Sequence, residues 1–388
     1  MNLIQTYFSE DHQTFRASFK AFLEKEVLPN VEAWEQAGEV PRYIYQKMGE
    51  MGYFGLGLPE DLGGSGLDFF YDVIFLEELG KVNSGGFGAA IGAHVILTLP
   101  HLFEIGSPFL QEKYLKPATE GQLIGALGIT EPHAGSDVAG LLTTATETEG
   151  GYLINGSKMF ITNGVNCDYY VLAAKTNPHA GPAGISLFVV DAPAPGLSRT
   201  KLNKLGWRAS DTGDIGFDNV FVPTENLLGE PNQGFLYIMQ RFELERLSLA
   251  ISSNALCEDA LEKSLQYMNE REAFGRKINK FQELRHRIAQ LSSELEMSRV
   301  FTYQACKMYD QGIYAVKEAA MAKLLATELA DKCTYQCLQF FGGYGYMEDY
   351  PLARMWRDAR LGTIGGGSSE IMREIIAKMV VDKLEYRV

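Results

Sequence analysis

Leu127-Gly128-Ile129-Thr130-Glu131-Pro132-His133-Ala134-Gly135-Ser136-Asp137 marks the point where one sequence texture gives way to another. It joins an apolar run to a loop of small and hydroxyl-bearing residues. Backbone in such a loop can approach a planar group closely, and Thr and Ser can bond its polar edge. Taken alone, the stretch reads better as a polar connection between strands. Downstream, Thr143, Thr144, Thr146 and Thr148 favour extended backbone. Gly150-Gly151 reads as a hairpin turn between residues 142–149 and 152–155. Short runs at 169–173, 185–190 and 215–222 follow, separated by Gly, Pro and Asn. Lys158-Met159-Phe160-Ile161-Thr162-Asn163-Gly164 closes one strand, and simple alternation places Phe160 and Thr162 on one face. Evenly spaced short strands predict a small antiparallel barrel or sandwich.

On both sides of this region the period is helical. Phe15, Phe19 and Phe22 recur at spacings of four and three, with Pro29 ending that helix. Residues 69–79 form a second apolar run closed by Gly80. Beyond Gly234 lie four stripes: Phe235, Ile238, Met239, Phe242 and Leu249; Leu284, Ile288, Leu291 and Leu295; Met321, Leu324, Leu325 and Leu329; and Ile371, Ile375 and Met379. Long amphipathic helices with short connections predict a bundle. The expected architecture is therefore α+β and multidomain. It comprises an N-terminal helical domain at 1–122, a middle antiparallel β-barrel at 123–232 and a C-terminal four-helix bundle at 233–388.

The chain has 388 residues, 46% of them hydrophobic, enough to bury large cores without disulfides or a structural metal. Its 35 basic and 49 acidic residues give a net charge of -14. That balance argues against nucleic acid or an anionic membrane as the main partner, because phosphate binding needs clustered Lys and Arg. No stretch is expected to reach the roughly 18 apolar residues of a membrane span. The start, Met1-Asn2-Leu3-Ile4-Gln5-Thr6, lacks the basic-then-apolar pattern of a signal peptide. The expected location is a bacterial cytoplasm, or the mitochondrial matrix for a mature eukaryotic form. Cys167, Cys257, Cys306, Cys333 and Cys337 include no C-x-x-C and read as buried reduced thiols. Cys333 and Cys337 share a helix face, but no ligand cluster accompanies them, and no metal is expected.

Several motifs dissolve under their context. Gly86-Phe87-Gly88-Ala89-Ala90-Ile91-Gly92 has the glycines of a dinucleotide turn without a preceding strand, so helix packing is the better reading. Gly151 to Lys158 has the glycines and lysine of a phosphate loop in the wrong order, inside a hairpin. Glu283-Leu284-Arg285-His286 is half of a di-iron carboxylate motif with no second copy, which predicts a solvated face or a local ion pair. Glu245 is more informative. Ile238, Phe242, Glu245 and Leu249 are spaced four, three and four, which puts a carboxylate in an apolar stripe. Such a group must be paired, neutral or functional; a bundle arginine as its partner and a catalytic role are both open.

Together these stretches resemble the acyl-CoA dehydrogenase family over most of the chain. Thr130 to Asp137 is similar to that family's flavin loop, and Phe160 to Thr162 to its flavin-facing strand, where Trp is common. Arg271-Glu272-Ala273-Phe274-Gly275 and Gln339-Phe340-Phe341-Gly342-Gly343-Tyr344-Gly345 resemble its Arg-x-x-Phe-Gly and Gln-x-x-Gly-Gly-x-Gly elements. In the family these two reach the FAD of a neighbouring subunit, which implies an oligomer, usually a tetramer. The resemblance implies FAD contacts from Leu127, Ile129, Thr130, Ser136, Phe160, Thr162, Arg271, Phe274, Gln282, Gln339, Gly342, Gly343, Ser368 and Glu370. It also implies α,β-desaturation of an acyl-CoA, with α-proton removal by a carboxylate and hydride transfer to flavin N5. Electrons would pass to an electron-transferring flavoprotein.

Most members carry the base in a Tyr-Glu-Gly-Thr stretch. The matching residues here are Gly365-Gly366-Gly367-Ser368, with Gly366 in the glutamate's place. Isovaleryl- and long-chain-type members instead have a Glu directly before an Arg on a bundle helix. Phe242-Glu243-Leu244-Glu245-Arg246-Leu247 resembles that arrangement and implies Glu245 as the base, with Glu370 and Glu243 as rivals. The Gly366 N–H, with a flavin ribityl hydroxyl, would face the enolate oxygen. Ser136, Glu243 and Arg246 fall at substrate positions. The triple glycine suggests a pocket tolerant of long or branched chains. A flavin-dependent acyl-CoA oxidase, an enoyl-CoA-type reductase, and a non-catalytic or metal-binding helical bundle are the alternatives.

Overall fold

A computed structural model describes residues 6–384; residues 1–5, part of the stretch read above for a leader, lie outside them. The chain begins with helices α1 (Glu10–Phe22), α2 (Val31–Ala37), α3 (Arg42–Glu50), α4 (Phe69–Gly80), α5 (Gly85–Gly92) and α6 (Leu99–Ile105). Two short turns, α7 (Pro108–Leu110) and α8 (Lys116–Thr119), complete the layer. Ser9 and His12 cap the start of α1 reciprocally, which satisfies otherwise orphaned amides. Pro29 sits not at the end of α1 but inside a following 3₁₀ turn, Leu28–Asn30, reached through a π turn, Leu23–Val27. Asp68 caps α4 by accepting from Phe70 N at 2.9 Å. Phe19 stacks on Phe75 with ring centroids 4.9 Å apart, which joins α1 to α4.

The expectation about membrane spans needs correction. The helical run Gly85–Ile105 is long and apolar enough to cross a membrane. Two-thirds of that window is buried inside the protein, so its apolar character is that of a core helix.

The middle region is a sheet of eight strands: β1 (Gly125–Gly128), β2 (Thr144–Thr148), β3 (Gly151–Thr162), β4 (Tyr169–Lys175), β5 (Ile185–Asp191), β6 (Leu197–Lys201), β7 (Thr212–Pro223) and β8 (Leu227–Leu228). Their order is β6-β7-β3-β2-β4-β5-β8, with β1 beside β4. The predicted hairpin is present, with Thr148 opposite Gly151. The predicted closed barrel is not. The sheet is open, ending at β6 and at the two-residue β8, and β2 meets β4 through the single pair Thr144 and Lys175. Nor is it wholly antiparallel, since β1 and β2 both run parallel to β4. β4 and β5 are buried along almost their whole length, so both of their faces are covered.

His94 ties the helical layer to this sheet. It is fully buried; its Nδ1 accepts from Gly125 N at 3.2 Å and its Nε2 donates to Ala118 O at 3.0 Å. Burial lowers its pKa to about 4, so the ring stays neutral.

After the sheet come α9 (Gly234–Glu270), a small hairpin of β9 (Glu272–Ala273) and β10 (Arg276–Lys277), α10 (Gln282–Asp310), α11 (Val316–Phe340), α12 (Pro351–Ala359) and α13 (Ser369–Val380). α11 packs along α9, α10, α12 and α13. Asn254 donates to Thr302 and accepts from Ser298, a polar pin that fixes the register of α9 on α10. Asp358 on α12 accepts from Gly85 N at 2.8 Å and from Trp207 N at 2.7 Å, so one carboxylate joins all three regions.

Candidate active site

Glu245 lies one third of the way along α9. It is partly buried, on the flank of a face whose most enclosed members are Leu244, Leu247, Ala250 and Ile251. The stripe read from the sequence is thus shifted by one position, because α9 is enclosed from both α4 and α11. The flank faces the turn between α12 and α13. A Cβ placed on Gly366 would come 3.5 Å from Glu245 Oε1. Gly366 and Gly367 both have left-handed backbone, with φ of 61° and 82°. Such a pair favours glycine, and it bares the backbone opposite the carboxylate. Burial raises the Glu245 pKa against the opposing charges of Arg246 and Lys323.

The rival carboxylates lie elsewhere. Glu243 is aimed at the backbone of Ala315, before α11; burial raises its pKa. Glu370 is exposed in the first turn of α13, where its own amide and the Ser368 hydroxyl hold its carboxyl below the usual range. Ser368 caps α13 through Ile371 N. Arg246 is buried, lies over the Phe242 ring at 5.8 Å, and bears electrostatically on both Glu243 and Glu245.

A second group of predicted residues gathers on the sheet. Ile129 and Thr130 follow β1 and lie against β3: Met159 N donates to Thr130 O at 2.8 Å, and Lys158 Nζ to Ile129 O at 3.0 Å. Lys158 and Glu131 form an ion pair at 2.8 Å with side chains 0% and 1% exposed. Glu131 also accepts from Leu142 N and Thr143 N. Burial opposes its ionisation, but Lys158 and these amides together keep its pKa below the ordinary carboxylate range. The loop's far end, with Ser136, is exposed, and Leu127 is partly buried in β1. Phe160 is 67% exposed with φ of 62°, in a bulge between Lys158 and Ile161. The bulge interrupts the simple alternation used to read this strand end; beyond it Ile161 is buried, with the less buried Phe160 and Thr162 on either side, and Thr162 pairs with Thr212 of β7.

A third group lines a cavity of about 710 Å³: Arg271, Phe274, Gln339, Gly342 and Gly343, with Tyr267, Phe281 and Tyr344. None of the first two groups lines it. Gln282 is exposed beside the lining residues Phe281 and Glu283. Phe274 is 95% exposed, again at positive φ, 52°. A Cβ on Gly342 or Gly343 would meet nothing within 4 Å. Aromatic walls, one guanidinium and an amide suit a planar, anionic nucleotide, so the residues fit a flavin nucleotide.

The remaining candidates resolve simply. Glu283 pairs with Arg287 at 2.7 Å, and His286 is exposed. All five cysteines are buried and unbridged. Sequence reading missed Lys323 and the close approach of Leu249 to Gly366. Lys323 is fully buried on α11 and donates to Gly367 O at 2.5 Å. The stripe read for that helix, Met321, Leu324, Leu325 and Leu329, ran largely along another side: the enclosed face is built on Ala319, Ala322, Ala326 and Ala330 around Lys323, and Leu325 is 52% exposed.

A carboxylate with raised proton affinity, set against a bare glycine turn, suits removal of a proton from carbon. Matches to known proteins name the family. The acyl-CoA dehydrogenase N-terminal, middle and C-terminal domain models match residues 9–122, 126–220 and 232–381. The chain is 38% identical to rat mitochondrial long-chain specific acyl-CoA dehydrogenase over 381 residues, covering 97% of this chain and 88% of that protein. It is 38% identical to rice mitochondrial isovaleryl-CoA dehydrogenase, covering 96% and 91%. It is also 38% identical to the caffeyl-CoA reductase-Etf complex subunit CarC of Acetobacterium woodii, covering 97% and 100%. Among solved structures, an acyl-CoA dehydrogenase from Geobacillus kaustophilus superposes with a TM-score of 0.94 at 40% identity, covering 97% and 99%. An FAD complex of PigA superposes with a TM-score of 0.92 at 30% identity, covering 96% and 98%. The chain belongs to the acyl-CoA dehydrogenase family, and so to the flavin-dependent oxidoreductases.

Proposed function

We propose that this chain, with FAD bound, desaturates an acyl-CoA thioester between Cα and Cβ, with Glu245 as the base. The reading rests on one observation above all, the Glu245 carboxylate facing the Gly366 turn. Glu245 takes the α-proton, and burial makes the carboxylate basic enough to do so. The Gly366 N–H bonds the thioester oxygen as negative charge develops there. Arg246 and Glu243 border the substrate's path, and Ser136 meets its CoA portion. The flavin, when bound, accepts the two electrons that leave with the β-hydrogen.

Ile129, Thr130, Phe160 and Thr162 hold the flavin ring's side of the cofactor, and Leu127, Ser136, Ser368 and Glu370 border it. Arg271, Phe274, Gln282, Gln339, Gly342 and Gly343 serve the nucleotide end across a subunit contact. The 95% exposure of Phe274 supports that contact and a homotetramer. An electron-transferring flavoprotein is the proposed acceptor, supported by the Etf complex in which the Acetobacterium relative is named. That name also favours a second reading, reduction of an enoyl-CoA at the same site. The working units are 1–122, 123–232 and 233–388, and buried free thiols fit a reducing compartment such as a bacterial cytoplasm.

The test is anaerobic mixing of the yellow holoenzyme with short, long and branched acyl-CoAs. Glu245→Gln should keep its colour and bleach about a thousandfold more slowly; bleaching at the original rate would remove the assignment.

A further inference from the structure

Lys323 is a lysine with no solvent exposure, and the chemistry assigned above makes no use of it. Burying an ammonium is costly unless a partner holds it. Two partners are present: the Gly367 carbonyl, 2.5 Å from Nζ, and the charge of Glu245 across the interface of α11 with α9. The Gly367 carbonyl, bonded to Lys323 of α11, belongs to a turn of two successive left-handed residues, one of them Gly366, the proposed donor to the thioester oxygen. We propose that Lys323 is a positioning residue: its ammonium fixes the Gly366–Gly367 turn through the Gly367 carbonyl, and its charge favours the ionised form of Glu245.

Other charges share this neighbourhood. Arg246, on the same helix as Glu245, is the larger positive charge acting on it, and Lys323 is the second, from across the helix interface. Glu328 on α11 is paired with Arg373 of α13. Glu370 of α13 is exposed and stabilised by its own helix start. Glu245 is accordingly the anion that acts most strongly on Lys323, whose own pKa burial draws down to about 8. The inference rests on Glu245 being the base.

Lys323→Gln removes the charge and keeps a donor for Gly367; Lys323→Met removes both. In each, the protonation midpoint of Glu245 is read from its infrared carboxyl band, assigned by its absence in Glu245→Gln. Both variants should move that midpoint, and the acid limb of the bleaching rate, upward by about one pH unit. At high pH, Lys323→Gln should approach the native rate, and Lys323→Met should stay about tenfold slower because the turn is misplaced. If Lys323→Met fails to retain flavin, the glutamine variant alone carries the midpoint test. Unmoved midpoints, with slowing equal at every pH, would make Lys323 a structural brace and overturn the inference while leaving the base in place. Full bleaching by Glu245→Gln would remove the base and this inference with it.

Discussion

Leu249 stands where a side chain at position 366 would have to go: a Cβ on Gly366 would fall inside contact distance of Leu249 Cδ1 while lying 3.5 Å from Glu245 Oε1. One turn of α9 therefore supplies the carboxylate and also fills the opposite volume. The glycine is required twice, once by its φ of 61° and once by Leu249. Gly366→Ala should lower stability by about 1–3 kcal/mol, from left-handed strain and overpacking. Adding Leu249→Ala should return the overpacking part only. Calorimetry of the native holoenzyme, the two single variants and the double variant checks this, and strictly additive losses would contradict it.

Glu245, the proposed base, should burden the fold. Its pKa is raised on folding, so over the range from the ordinary carboxylate value up to the folded value the native state holds the extra proton. Stability must then fall as pH rises through that range. Glu245→Gln should raise the melting temperature at neutral pH, and its advantage should shrink toward acid, below the ordinary glutamate range. A constant difference across pH would mean that the carboxylate is not strained by burial.

The Lys158–Glu131 pair anchors the loop carrying Thr130 and Ser136 to β3. Breaking a buried pair from one side typically costs about 3–5 kcal/mol, and Lys158→Met should do so while speeding flavin release on dilution. The pKa of Glu131 is depressed, so its contribution is present above the ordinary carboxylate range and is lost as pH falls through the folded value. Flavin fluorescence followed from pH 7 downward should show earlier release in Lys158→Met than in the native protein.

Phe274→Ser should leave the protomer's melting largely unchanged, since a side chain 95% exposed supports no core. It should instead weaken the assembly and its hold on flavin, by about tenfold or more if the ring is a contact anchor. Light scattering with absorbance detection reads both. An unchanged tetramer with full flavin would remove Phe274 from the contact.

What the sequence disclosed depended on range. Apolar runs and the Gly150 turn are local, and α4 runs to Gly80 as its pattern indicates. Glu245 stood out because one charged residue interrupted an apolar period. Lys323 did not, because the enclosed face of α11 is built on small alanines, and the larger Met321, Leu324 and Leu325 drew the stripe to another side. The open sheet was not legible, because the β1–β4 and β2–β4 pairings join segments tens of residues apart that no local period records. The Phe160 bulge escaped for a related reason: alternation assumes regular pairing, and the register with β7 slips there.

Asp358 has a mechanical consequence. Its two oxygens grip the start of α5 and the Trp207 loop while its own backbone belongs to α12. The carboxylate works as a keystone under three arches, and no layer can tilt without straining it.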